Sequence, residues 1–516
     1  MTQKNKRSIS FFLVILLMIT SMIMPFAGMG RKVFASEAES TYTISSGTLT
    51  VHVDPSFPRV IEYNCNGKIM YGQEDTLSVV KINDTEYTPD VTSIKQEDSV
   101  LYTLLFEEID VVIIVEFKVN ANILEMKIKD IQENGSTKVF SLEFPNHNLV
   151  SVRSTQPGAG MAYNKNYISG DVFSTVNDKA IDSAPVRSGY TIIYTNELAA
   201  TIETSLGGYY NRIQTVQKDG YKRTGIWSDY YQYRGTNADQ TIMELPWTRV
   251  TVVEDQNGDG QIDWQDGAIA FRSIMDELPG QSRELAKKST TVNIICNYWG
   301  RMPWTWEMSL DYLKRQALAT DMFPQILLAK SAHNGIDGDP SYGDANPLLG
   351  GNEKYRWFQA ECLKWNIYPG THTSQNEAYP ESKFWEGTPL TNVIAWDQID
   401  REGFRINQLE YWNNDLLGKR YDLNAIEWPD NQFLYIDVDI ACNGTENAQK
   451  FMVFKTISKL KEHNWTFFTE FETPTAVIEI PFPGVPYRGI QDIGSKYITW
   501  SHSFSYAGNS NIRRFI

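Results

Sequence analysis

The chain has 516 residues, too many for one ordinary domain and enough for two or three with sizeable cores. Its 47 Lys and Arg against 63 Asp and Glu leave a formal charge of −16, which works against nucleic acid and anionic membrane surfaces as partners. Aromatic residues make up 13%, a supply that serves either a large β core or the stacking platforms of a sugar-binding cleft.

The N-terminal stretch has basic residues, then an apolar run broken by Pro25, then Val33 and Ala35 at signal-peptidase spacing. This pattern predicts a secretory signal over residues 1–35, with an uncleaved anchor as the alternative. No later run is long and apolar enough to span a bilayer, so the mature chain is expected to be secreted, with no membrane contact after signal cleavage. Cys65, Cys296, Cys362 and Cys442 are far apart and form no C-x-x-C pair, which implies neither a zinc site nor a disulfide framework.

From about residue 41 to 250 the chain reads as strand after strand, for example "VLYTLLFEEI", "VVIIVEFKV" and "ILEMKIKDI". Alternation, β-branched enrichment and intervening turn residues predict a large antiparallel β-sandwich, assigned to residues 36–285. Near its end, "DQNGDGQIDWQD" sets Asp255, Asn257 and Asp259 at positions 1, 3 and 5 of an EF-hand-type loop, with Gly260 at 6, Gln261 at 7 and Asp266 at 12. Oxygen side chains at alternate positions converge on a hard cation, and position 7 offers its backbone carbonyl, so a structural Ca2+ is expected. An Asx-rich turn without metal is the plainer reading.

Beyond about residue 290 short buried strands alternate with amphipathic helical stretches, the strands falling at 293–300, 325–330, 366–372, 433–439, 466–472 and 497–502. Phe451, Phe454, Ile457 and Leu460 form one apolar helix stripe between the fourth and fifth. Serial βαβ units predict a (β/α)8-type barrel over residues 286–516, incomplete because only six strands are counted.

Asp437 and Asp439 end the fourth strand, and Glu470 and Glu472 end the fifth. Strand ends at the C-terminal face of such a barrel carry its chemistry. Neighbouring strands lie about 4.8 Å apart. A carboxylate from each can then meet its partner at the roughly 5 to 5.5 Å separation of a retaining glycosidase. The pairs Asp437 with Glu470 and Asp439 with Glu472 share one sequence separation, so spacing leaves both open. Carboxylates that merely satisfy interior cations or hydroxyls are the structural alternative.

Several stretches together resemble the endo-α-N-acetylgalactosaminidase family of glycoside hydrolases: "DQNGDGQIDWQDGAIAFRSIM", "GTHTSQNEAYPESK", "YIDVDI" and "FTEFE". The resemblance covers about residues 240 to 516. It implies cleavage of the α-linkage between N-acetylgalactosamine and Ser or Thr of mucin-type glycoproteins, with retention and release of a Gal-GalNAc-type disaccharide. It favours Asp437 as nucleophile and Glu470 as acid/base, and it implies sugar contacts from Asp337, His372, Glu377 and Trp396. Phe468 and Phe471 beside Glu470 would raise its pKa by disfavouring the charged form. The sequence departs from the family pattern at Ile336, Phe471 and Ser503, which bears on the sugar more than on the chemistry. The other readings are a retaining α-glycosidase of different sugar specificity and a non-catalytic glycan-binding protein.

Overall fold

A computed structural model describes residues 41–164, 171–188, 190–205, 211–228, 230–234, 245–274, 291–296, 304–330, 332, 343–375, 377–380, 382–398, 401–437, 455–456 and 458–469. The expected signal segment, Phe451, Phe454, Ile457 and the strand read at 497–502 lie outside these residues.

Residues 42–253 form two large antiparallel sheets and a smaller one. The nine-stranded sheet runs in space Asp171–Thr175, Gly160–Asn164, Thr191–Tyr194, Ala199–Thr204, Trp247–Val253, Ile123–Glu133, Val111–Asn120, Ser99–Phe106 and Asp90–Lys95. The eight-stranded sheet runs Tyr42–Ser46, Leu49–Val53, Val60–Cys65, Lys68–Tyr71, Val150–Arg153, Tyr221–Ser228, Asn211–Lys218 and Val186–Ser188.

Period-two patterning decides which face is buried. Val111, Ile113, Val115, Phe117 and Val119 alternate inward along one strand, and Leu49, Val51 and Val53 do so along a strand of the other sheet. All of these belong to one apolar cluster, so the two sheets share a core. Each fully buried Val or Ile contributes about 1.5–3 kcal/mol. Asn66 and Gly67 make the two-residue connection before Lys68–Tyr71, with φ of 52° and 83°. These are the positive values that a hairpin turn matched to strand twist requires.

The helix α1, Trp264–Ile274, packs back onto this sandwich. Ala268 and Phe271 pack with Ala162, Tyr190 and Ile192, while Ala270 packs with Ala199 and Val253. Gly267 allows the approach, since a Cβ there would stand 2.3 Å from Ile192 Cγ2.

The second architecture is a five-stranded parallel sheet: β1 (Thr291–Cys296), β2 (Gln325–Lys330), β3 (Ile367–Ser374), β4 (Phe433–Asp437) and β5 (Thr466–Thr469). Their spatial order is their chain order, with no reversal. Helix α2 (Trp306–Ala319) connects β1 to β2, and α3 (Gly351–Leu363) connects β2 to β3. Helices α4 (Gln408–Asn413) and α5 (Leu416–Glu427) precede β4.

Thr305 starts α2 by accepting the Met308 N–H at 3.2 Å. Trp306, Leu310, Leu313 and Ala317 recur at helical spacing and are buried together with Ile295, Leu327 and Ala329 of the sheet. A three-stranded antiparallel sheet, formed by Glu377–Ala378, Arg401–Ile406 and Leu390–Gln398 in that spatial order, is inserted between β3 and α4. Among the described residues no helix is long and apolar enough to cross a membrane.

Candidate active site

The pairing register fixes which residues share a face of the parallel sheet. Gly370, His372 and Ser374 of β3 stand opposite Phe433, Tyr435 and Asp437 of β4, and Tyr435 and Ile436 stand opposite Phe468 and Thr469 of β5. Leu434 and Ile436 bury against Tyr421 of α5, Leu460 and Trp465, which marks the helix-covered face. The other parity therefore forms the opposite face: Gly370, His372, Phe433 and Tyr435, with Asp437 by position at the C-terminal rim.

On that face His372 is 1% exposed and stacks on Tyr435, with ring centroids 5.2 Å apart and planes 25° apart. Gly370 makes room for Phe433, whose ring atoms would lie 2.4 Å from a Cβ at that position. Just beyond Ser374, Gln375 accepts hydrogen bonds from Tyr421 Oη at 3.1 Å and Thr456 Oγ1 at 3.2 Å, tying the rim of β3 to two helical segments. Glu377 is buried and accepts a hydrogen bond from Tyr379 Oη at 2.9 Å.

His372 and Asp437 thus lie on two adjacent strands, with Asp437 at the rim, and Glu377 follows β3 by three residues in the small antiparallel sheet. Trp396 lies in the strand Leu390–Gln398, opposite Gly403. Glu470 follows Thr469, the last described residue of β5, and it lies outside the described residues with Asp337, Asp439 and Glu472.

Sequence reading missed the supports of the segment that follows β2. Asn424 Oδ1 accepts the Gly343 N–H at 3.0 Å. Asn352 Nδ2 donates to the Gly343 carbonyl at 2.8 Å, and its Oδ1 accepts the Ala345 N–H at 2.8 Å and Trp428 Nε1–H at 3.1 Å. The Asn346 N–H meets the Ala332 carbonyl at 2.8 Å, so the excursion from 332 to 346 has tied ends. Nothing in the sequence marked those asparagines, because their partners are backbone amides of a loop and a Trp side chain that only the fold brings alongside.

The loop at 255–266, expected to hold a cation, is closed by hydrogen bonds from its own backbone to its side chains. Asp255 accepts backbone N–H groups from Gly258 at 2.7 Å and Gly260 at 2.9 Å, which hold its carboxyl below the usual carboxylate range. Asn257 accepts from the Asp259 N–H at 3.0 Å and Asp259 from the Gln261 N–H at 2.8 Å. The buried Asp266 accepts from the N–H groups of Gln256 and Asp263 at 2.6 and 2.9 Å. Asp255, Asn257, Asp259 and Asp266 carry oxygen donors of the type a hard cation takes, while among the described residues no group of three or more His, Cys, Asp or Glu is gathered to hold a metal ion.

Residues 265–479 match the model of the family described as endo-alpha-N-acetylgalactosaminidase, and residues 44–264 match that of the galactose mutarotase-like fold domain. The parallel-sheet half thus matches the endo-alpha-N-acetylgalactosaminidase model, over somewhat less than half of the chain. A Renibacterium salmoninarum protein named for endo-alpha-N-acetylgalactosaminidase is 27% identical over 450 residues, covering 80% of this chain and 30% of that protein. The chain therefore spans about a third of the length of this curated relative.

The alpha-N-acetylgalactosaminidase NagBb of Bifidobacterium bifidum, in its GalNAc complex, superposes with a TM-score of 0.54 at 12% identity, covering 89% of this chain and 83% of that one. The alpha-galactosidase AgaA of Geobacillus stearothermophilus gives 0.52 at 8% identity, over 83% and 72% of the two chains. These likenesses concern the fold alone: a mutarotase-like β domain followed by a parallel sheet with helices.

Proposed function

We propose that this chain is a secreted retaining glycoside hydrolase that cleaves the α-GalNAc–Ser/Thr bond of mucin-type O-glycans and releases a Gal-GalNAc-type disaccharide. The observation that carries the reading, beside the family match, is the register at the rim: Ser374 opposite Asp437 and Ile436 opposite Thr469. In this reading Glu470, the residue after Thr469, would face Asp437. Strands about 4.8 Å apart would then allow the two carboxyl groups the short gap that retention needs.

In this reading Asp437 attacks the anomeric carbon as the bond to the Ser or Thr oxygen breaks, and Glu470 gives that oxygen its proton. Glu470 then takes a proton from water, which attacks the anomeric carbon and frees Asp437. Asp439 with Glu472 is the second pair, with the same sequence separation. Asp337, His372, Glu377 and Trp396 would hold the sugar, O-glycosylated proteins would be the partners, and further strand–helix units would close the sheet as a (β/α)8 barrel. The proposed leader, residues 1–35, directs export. Asp255, Asn257, Asp259, Asp266 and the Gln261 carbonyl would hold a structural Ca2+.

An aryl α-glycoside of Gal-GalNAc tests the assignment. Asp437→Asn and Glu470→Gln should each lower kcat about a thousandfold or more with the melting temperature little changed. Full activity in either variant refutes the pair. Turnover confined to α-glucosides or α-galactosides refutes the substrate.

A further inference from the structure

We infer that Tyr379 is a positioning residue that fixes the Glu377 carboxylate, with Gly403 providing the space it needs; this rests on the reading of Glu377 as a sugar-binding group. Tyr379 is fully buried, and its hydroxyl donates to Glu377 Oε2 at 2.9 Å. A buried carboxylate keeps its charge only when hydrogen bonds replace water, so the direction of this donor constrains where the carboxylate lies.

The ring itself is held from the other side. Glu377 and Ala378 pair with Arg405 and Phe404, which brings the strand Arg401–Ile406 back over the Glu377–Tyr379 segment. A Cβ at Gly403 would stand 3.0 Å from Cε1 and Cζ of Tyr379 and 3.2 Å from its Oη. Such contacts are too close for a relaxed fit, and the atom that would have to give way is next to the one that holds Glu377. The absence of a side chain at 403 and the hydroxyl at 379 therefore act on the same carboxylate. Trp396 stands opposite Gly403 on the next strand, so the hairpin joins two of the expected sugar contacts in one small sheet.

Tyr379→Phe removes the hydrogen bond and keeps the ring. On the Gal-GalNAc aryl glycoside, KM should rise about tenfold with kcat within about threefold, the loss expected when a charged group forfeits one hydrogen bond. Gly403→Ala keeps the hydroxyl, crowds the ring, and should raise KM in the same way. An unchanged KM in Tyr379→Phe overturns the proposal, as does a loss of kcat in step with a fall in melting temperature. If the wild-type chain hydrolyses no such glycoside, the functional reading fails and crystal structures decide the positioning alone. A rotated Glu377 carboxylate in Tyr379→Phe then supports the inference, and an unmoved one overturns it.

Discussion

His372 and Tyr435 face each other across adjacent parallel strands, their rings 5.2 Å apart and 25° from parallel. The stack fixes the imidazole on the face where Asp437 ends β4. Tyr435→Leu keeps an apolar group and loses the ring. It should cost about 1 kcal/mol beyond lost burial, visible in urea melts, and should raise KM with little change in kcat. An unaltered KM would separate His372 from sugar binding.

Gly370 lies one rung earlier, beneath the Phe433 ring, with ring atoms 2.4 Å from where a Cβ would sit. Gly370→Ala should destabilise the parallel sheet by about 1–3 kcal/mol through overpacking. Replacing Phe433 by Leu in the same chain should recover part of that loss, and a double-mutant cycle measures the coupling.

His147 in the sandwich core predicts a pH dependence. Its Nε2–H donates to the Pro58 carbonyl at 2.5 Å, its ring stacks near Phe117 and Phe144, and its Nδ1 is buried with no partner among the described residues. Burial, with a smaller effect from Arg59, pushes its pKa from 6.5 down to about 4. Below the unfolded value the unfolded chain takes up a proton that the folded chain refuses, so stability falls with falling pH and levels off near the folded value. Wild type should lose about 2 kcal/mol from this group between pH 7 and pH 5. His147→Gln should lose correspondingly less over the same interval in chemical denaturation.

The Asp255 loop predicts a metal effect. Millimolar Ca2+ should raise the melting temperature over that in chelator, by an amount that grows with the logarithm of free metal. Asp255→Ala should abolish the increment. The same increment in that variant would assign the metal elsewhere.

The sandwich was legible because one face of each strand is buried, as in Val111–Asn120, and alternation reports that directly. The strands Gln325–Lys330 and Phe433–Asp437 were legible for the opposite reason: buried on both faces, they read as apolar runs. The small sheet around Glu377 was not read. Its first strand is two residues long, and its partner strands come from a polar, Trp-containing stretch without clean periodicity. His372 and Glu377 were expected as site residues through the family resemblance, and both are buried at or near the sheet's rim. Tyr435, Tyr379 and Gly403 were not, because each depends on which strand lies alongside, a property that spacing alone does not encode.

Trp247–Val253 lies between Ala199–Thr204 and Ile123–Glu133, joined to both by antiparallel pairing. The nine-stranded sheet thus receives a central strand last. During synthesis, two half-sheets must wait with open edges until the ribosome has released that segment, and pairing over such long loops is slow. A fragment cut before residue 247 would keep most of the β sequence, lack its keystone, and offer those edges to neighbouring molecules.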